Sequence, residues 1–99
     1  MNEKKQVNEG YTIIESMTVG NARFVIGENP NSRIAPYVTW MANAKNDPDN
    51  FFWGHYCTTK LDAVADFAQR INAEAEYLRE RTKANTAPLQ ERKERGETR

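Results

Sequence analysis

Four stretches of the chain are rich in β-branched and aromatic side chains, and the first of them also alternates between apolar and polar residues: residues 11–19, 22–26, 37–42 and 51–57. A period of two with this composition predicts β-strands. Thr59 and Asp62 have the Thr-x-x-acid spacing of a capping box, which predicts a helix start. Apolar residues then recur at intervals of three and four, which predicts one helix continuing to about Lys83. This order indicates the α+β class: a four-stranded antiparallel sheet of two hairpins, one long C-terminal helix packed on one face, and flexible termini.

The first hairpin has a predictable register. The dipeptide Gly-Asn at residues 20–21 separates the first two strands, and both residue types tolerate the positive φ of a primed two-residue turn. Val19 then pairs with Ala22, and Met17 lies opposite Phe24. Alternation predicts one apolar face that carries Tyr11, Ile13, Met17, Val19, Phe24 and Ile26.

The third and fourth predicted strands carry most of the aromatic residues. The runs Pro-Tyr-Val-Thr-Trp at residues 36–40 and Phe-Phe-Trp-Gly-His-Tyr at residues 51–56 contain both tryptophans and the only histidine. Alternation places large apolar side chains on both faces of these strands, and one helix covers only one face. We expect either an exposed aromatic surface or a homodimer that buries it.

Composition sets the domain boundaries. The 99 residues are enough for a single domain, which we place at residues 11–83. Residues 1–10 and 84–99 have too little apolar content to fold alone, so we expect a disordered lead-in and a charged flexible tail. The net charge is zero, but residues 1–78 carry −3 and residues 79–99 carry +3. No global field attracts nucleic acid or an anionic membrane.

The absence of sorting signals points to the cytoplasm. Cys57 is the only cysteine, which excludes an internal disulfide. No apolar run resembles a signal peptide or approaches the roughly 20 residues of a membrane-spanning helix. We therefore expect a cytoplasmic protein without membrane contact.

The chemistry-bearing residues are too few for a catalytic or metal centre. His55 and Cys57 are two residues apart, whereas a zinc site needs three or four such ligands. No third group that would orient the histidine is evident, so a nucleophilic triad is not indicated. We expect no metal, no cofactor and no catalysis. A small enzyme that uses His55 and Cys57 is the remaining alternative of this class.

Binding is the function that remains. Tryptophan and tyrosine dominate interface energetics and also stack on nucleic-acid bases. The loop at residues 27–36 is long for a hairpin, and basic residues follow the helix stripe. The predicted contact residues are Tyr37, Trp40, Trp53, His55, Tyr56, Arg33, Arg79 and Arg81.

The runs Tyr-Val-Thr-Trp at residues 37–40 and Asn-Phe-Phe-Trp-Gly-His-Tyr at residues 50–56, preceded by Tyr-Thr-Ile-Ile-Glu-Ser at residues 11–16, carry a resemblance. Over about residues 11–70, the chain resembles a small domain carried on plasmids and conjugative elements of Gram-positive gut bacteria. The resemblance implies a role in inhibiting host defence, as in anti-CRISPR proteins. It carries over no catalytic residues.

A small domain without a catalytic set predicts a non-enzymatic inhibitor or adaptor, and the resemblance implies that its partner is a Cas effector of the Cas9 type, or the guide RNA of that effector. A charge of −3 on residues 1–78 is too small for mimicry of DNA. The alternative is a small single-stranded nucleic-acid-binding module, in which Tyr37, Trp40, Trp53 and Tyr56 stack on bases and the basic tail contacts phosphates.

Overall fold

The computed structural model describes residues 5–86. It contains five strands and one helix: β1 (Val7–Asn8), β2 (Tyr11–Val19), β3 (Ala22–Glu28), β4 (Tyr37–Asn43), β5 (Asp47–Cys57) and α1 (Lys60–Thr86). The strands form one antiparallel sheet in chain order, with α1 packed against it. The predicted α+β class is confirmed, whereas the predicted count of four strands is wrong.

The additional strand, β1, lies within residues 1–10, which the sequence indicated as a lead-in. Val7 pairs with Thr12 of β2, and the chain turns through Glu9 and Gly10, whose φ angles are 52° and 85°. Positive φ at both positions is the geometry of a primed two-residue turn. The apolar content of residues 1–10 does not predict β1, because backbone hydrogen bonds to β2 hold this strand and its one apolar residue, Val7, stays exposed.

The β2–β3 hairpin has the predicted register. Val19 pairs with Ala22 and Met17 pairs with Phe24. Gly20 adopts a φ of 60° at the first turn position, where glycine carries no steric penalty.

A bulge in β2 changes the predicted assignment of faces. The register shifts between Ile13 and Glu15, so that one extra residue lies in β2. An extra residue reverses the alternation of side chains beyond it. Tyr11 and Ile13 therefore lie on the opposite face from Met17, and the predicted single apolar face is wrong for these two residues.

The face that carries Tyr11, called here the inner face, closes on itself. The rings of Tyr11 on β2 and Tyr56 on β5 lie 6.0 Å apart, although two strands separate them in the sheet. Flat strands at about 4.8 Å spacing would hold them much further apart, so the sheet is strongly curled. Its concave side buries Tyr11, Val25, Val38 and Trp40, with Ile13 and Phe51 packed against them.

Ring contacts and one arginine complete the inner face. Trp40 stacks on Phe51 at 5.6 Å between ring centroids and meets Tyr11 edge-on at 5.7 Å. Arg23 lies over the Phe51 ring and also donates hydrogen bonds to Gln6 beside β1 and to Asp49 on β5. These polar contacts join the first and last strands, which keeps the sheet curled.

The helix covers the opposite, outer face. Its first turn is capped by Thr59, whose hydroxyl accepts a hydrogen bond from the Asp62 amide at 3.1 Å, as the sequence predicted. Ala63 is fully buried, and Leu78 lies against the turn at Gly20.

The helix continues to Thr86, beyond the predicted end at about Lys83, and the predicted apolar stripe is only partly buried. Leu61 is 77% exposed and Val64 is 41% exposed. No helix in the described part of the chain has both the length and the apolar character needed to cross a bilayer.

Candidate functional site

A bulge in β5 positions the most exposed tryptophan. Thr39 pairs with His55 and Met41 pairs with Phe52, which leaves Trp53 and Gly54 opposite the single residue Trp40. Trp53 adopts a φ of 55°, in the left-handed region. A non-glycine residue in such a conformation costs on the order of 1–3 kcal/mol and persists only where its surroundings impose it.

Arg70 on α1 holds this bulge in place. Its Nη2 donates a hydrogen bond to the Trp53 carbonyl, and its side chain is only 12% exposed. With the carbonyl fixed, the indole is turned outward and is 71% exposed. The bulge also breaks the predicted alternation in β5, because Phe52 and His55 now both pair with outer-face residues.

Four polar side chains meet where α1 crosses β4 and β5. Asp66 on the helix accepts hydrogen bonds from the Thr39 hydroxyl and from His55 Nδ1, which lies 3.0 Å from both carboxylate oxygens. Arg70 Nε lies 3.2 Å from the same carboxylate. We call these four residues the Asp66 cluster; they connect the helix to the sheet through charge-assisted hydrogen bonds.

The Asp66 carboxylate is stabilised in its charged form. Burial alone would raise the pKa of Asp66. The hydrogen bonds from Thr39 and His55, together with the charges of His55 and Arg70, outweigh that effect and lower the pKa. Asp66 is therefore an anion at neutral pH, and the cluster is held together most strongly in that state.

The cluster resembles part of a catalytic arrangement, because a carboxylate on Nδ1 orients a histidine for proton transfer through Nε2. The sequence did not reveal this orienting group. The nearest thiol, Cys57, contacts the backbone carbonyl of His55 at 3.8 Å. Burial, followed by the charges of Asp66 and Asp62, raises the pKa of Cys57 despite the opposing charge of Arg70, which favours the unreactive thiol.

Beside the cluster lies a surface groove of about 360 Å³, which we call the Trp53 groove. Phe52 meets Trp53 edge-on at 5.1 Å, next to the groove. Its lining is largely apolar, and His55, Arg70 and Glu74 are its polar residues. The groove is lined by Phe24, Met41, Trp53, His55, Arg70, Ala73 and Glu74.

Trp40, which the sequence predicted as a contact residue, is buried. Its side chain is 4% exposed and stacks on Phe51 inside the curled sheet. A partner at the surface therefore cannot reach it without opening the inner face. Its dense ring contacts make it a core residue.

The other predicted contact residues are dispersed. Tyr37 donates a hydrogen bond to Glu28 at 3.2 Å, and Tyr56 lies on the inner face beside Tyr11. Arg33 is exposed in the loop between β3 and β4. Arg79 pairs with Glu76, and Arg81 lies over the Tyr77 ring. The predicted residues that share the groove are Trp53 and His55, and the basic residues of the predicted tail beyond residue 86 lie outside the described part of the chain.

Sequence reasoning missed Thr39, Asp66 and Arg70. The four-residue spacing of Asp66 and Arg70 is a visible signal of a helical ion pair, but nothing in it points to His55 on a different element. Within residues 5–86, no three His, Cys, Asp or Glu side chains are grouped closely enough to hold a metal ion.

Comparison of the chain with protein-family models, with curated proteins and with solved structures finds no match. The groove and the Asp66 cluster are therefore the features from which a function can be inferred.

Proposed function

We propose that this chain is a non-enzymatic binding protein, an inhibitor or adaptor, whose Trp53 groove holds an apolar side chain of a protein partner. The observation that carries this proposal is the conformation of Trp53. Its indole is 71% exposed, although its backbone is held in the left-handed region by a helix residue.

The cost of this conformation supports a role for the exposed indole. Folding alone gains little from a tryptophan that is mostly in water, because its apolar area stays hydrated. Strained positions of this kind persist mainly where function uses them. Exposed tryptophans beside a groove are also the side chains that contribute most to protein–protein affinity.

The groove itself matches a single anchoring side chain. The groove has apolar and polar lining residues: Phe24, Met41 and Ala73 are apolar, whereas His55, Arg70 and Glu74 contribute polar atoms. This combination of an apolar floor and a few polar groups is typical of the centre of a protein interface.

The proposed partner is a protein of host defence, a Cas effector of the Cas9 type. The support for this choice is the resemblance carried by residues 11–16, 37–40 and 50–56. Recognition through a tryptophan and a groove also agrees with the low net charge, since binding by shape does not need the dense negative charge of a DNA mimic.

The test compares two variants of similar exposure in a Cas9 binding and DNA-cleavage assay. Trp53→Gly removes the indole and relieves the left-handed strain, so the fold is retained while affinity falls about 30-fold, or roughly 2 kcal/mol. Ile34→Ala truncates another side chain, 83% exposed and in the β3–β4 loop, and leaves affinity unchanged.

Two results would reject parts of this proposal. Undiminished cleavage by Cas9 at saturating wild-type protein removes the Cas effector as the partner. Retarded migration of labelled single-stranded oligonucleotides at low salt, lost on salt addition, would instead favour the nucleic-acid-binding alternative.

A further inference from the structure

The outer edge of β2 is unpaired over most of its length. β1 covers its beginning, where the Ile13 amide donates to the Gln6 carbonyl at 2.8 Å. Among residues 5–86, no strand pairs with the outer side of residues 14–19. An uncovered edge of this kind presents backbone donors and acceptors to any added strand.

The other edge of the sheet, β5, is protected by contrast. It contains two register shifts, a proline at position 48 and acidic residues at positions 47 and 49. The Trp53 carbonyl on β5 is also occupied by Arg70. Bulges, proline and charge are the features by which natural sheets prevent edge pairing. The bulge of β2 lies at its beginning, before Glu15, and residues 15–19 contain none of these features except the charge of Glu15.

The hairpin turn fixes which backbone groups of β2 point outward. Val19 and Ala22 close a two-residue turn, so their amides and carbonyls bond to each other. Hydrogen-bonded and non-hydrogen-bonded pairs alternate along antiparallel strands. Met17, two residues before Val19, therefore also directs its backbone groups to β3. Ser16 and Thr18 direct theirs outward, to the uncovered side.

We propose that two copies of this chain pair antiparallel through their β2 edges, with Met17 of each copy facing the other at the two-fold axis. In this register Ser16 of one copy forms a hydrogen-bonded pair with Thr18 of the second copy. The same pair recurs on the other side of the axis, because a two-fold interface is self-complementary. The result is one continuous sheet of ten strands.

The side chains at this edge fit a second copy. Met17 is 50% exposed in the single chain, and the non-hydrogen-bonded pair at the axis brings the two methionines closest. Glu15 faces Val19 of the second copy, so no like charges meet. The short length of the pairing makes the dimer dependent on concentration.

Light scattering and sedimentation at a series of concentrations test this dimer. Wild-type protein is expected to approach twice the 11.4 kDa of one chain on concentration and to dissociate on dilution. Met17→Lys places two positive charges together at the axis, and Thr18→Pro removes an outward amide that β3 does not use; both variants remain monomeric. Met17→Leu, the matched control, keeps the dimer.

Circular dichroism verifies that the variants remain folded, and amide hydrogen exchange locates the interface. Protection of the Ser16 and Thr18 amides rises with protein concentration in the wild type but not in Met17→Lys. A wild-type monomer up to the solubility limit, a dimer that survives both disruptive variants, or protection of these amides that is independent of concentration would each overturn the proposal.

Discussion

The two faces of the sheet are covered in different ways. The inner face is closed by curvature, and its core consists of rings and β-branched side chains contributed by the strands themselves. The outer face is covered by α1, which is anchored partly by the Asp66 cluster and leaves the Trp53 groove at the surface.

This difference separates stability from binding. A face that buries its aromatic residues against each other gains most from the hydrophobic effect. On the inner face Tyr56 is the aromatic residue that stays more than half exposed. A face covered by one helix retains accessible apolar area, and Trp53 lies in that area. Substitutions on the inner face should therefore change the free energy of unfolding, and those at the groove should change affinity.

The largest expected effect comes from the centre of the inner face. Trp40→Ala removes a buried indole that contacts both Tyr11 and Phe51, and we expect a loss of about 3–5 kcal/mol in the free energy of unfolding. Urea denaturation measures this loss. Trp53→Gly, which removes the same side chain from the outer face, should change stability by about 1 kcal/mol or less. Equal losses of unfolding free energy in the two variants would contradict the separation of stability and binding between the two faces.

Close packing on the inner face can be tested without removing any atom. A Cβ on Gly27 would lie 2.9 Å from the Tyr11 Cβ and 3.1 Å from the Val38 Cγ1. Gly27→Ala therefore forces these groups apart, and we expect a loss of about 1–3 kcal/mol by urea denaturation. An unchanged midpoint would show that the curled sheet is loosely packed.

The smallest of the three effects concerns the outer face and depends on pH. The pKa of Asp66 is lowered in the folded state, so its stabilisation is present above the ordinary value of 3.8 and is lost as the pH falls through the folded pKa. Asp66→Asn should lose about 1–2 kcal/mol at pH 7 and show a weaker dependence on acid.

Urea midpoints measured between neutral and acidic pH give this comparison. Asp62→Asn is the matched control, because it removes the same charge one turn earlier on α1 without touching the cluster. If both variants follow the same pH profile, Asp66 does not act through its contacts with Thr39, His55 and Arg70.

Local patterns in the sequence predicted the parts of the fold that depend on near neighbours. The Gly20 turn with its Val19–Ala22 register, the Thr59 cap and the class of the fold all follow from residues close together in the chain. The two bulges and β1 did not, because each depends on pairing with another strand. Those bulges decide which side chains share a face.

The same division applies to the candidate site. Residues 51–56 are the densest aromatic run in the sequence. Alternation alone could not assign their side chains to the two faces of the sheet. The sequence does not show an orienting group for His55, since Asp66 is eleven residues away and on a different element. The sequence predicted both tryptophans as contact residues, yet Trp40 is buried and Trp53 is exposed.

The sequence by itself determined the elements, their order and the hairpin turn, because propensity, periodicity and turn chemistry act over a few residues. The tertiary structure alone decided the curvature of the sheet, the two bulges and the contact of Arg70 with the Trp53 carbonyl. These features arise from contacts between distant segments, whose free energies appear only when the whole chain is packed.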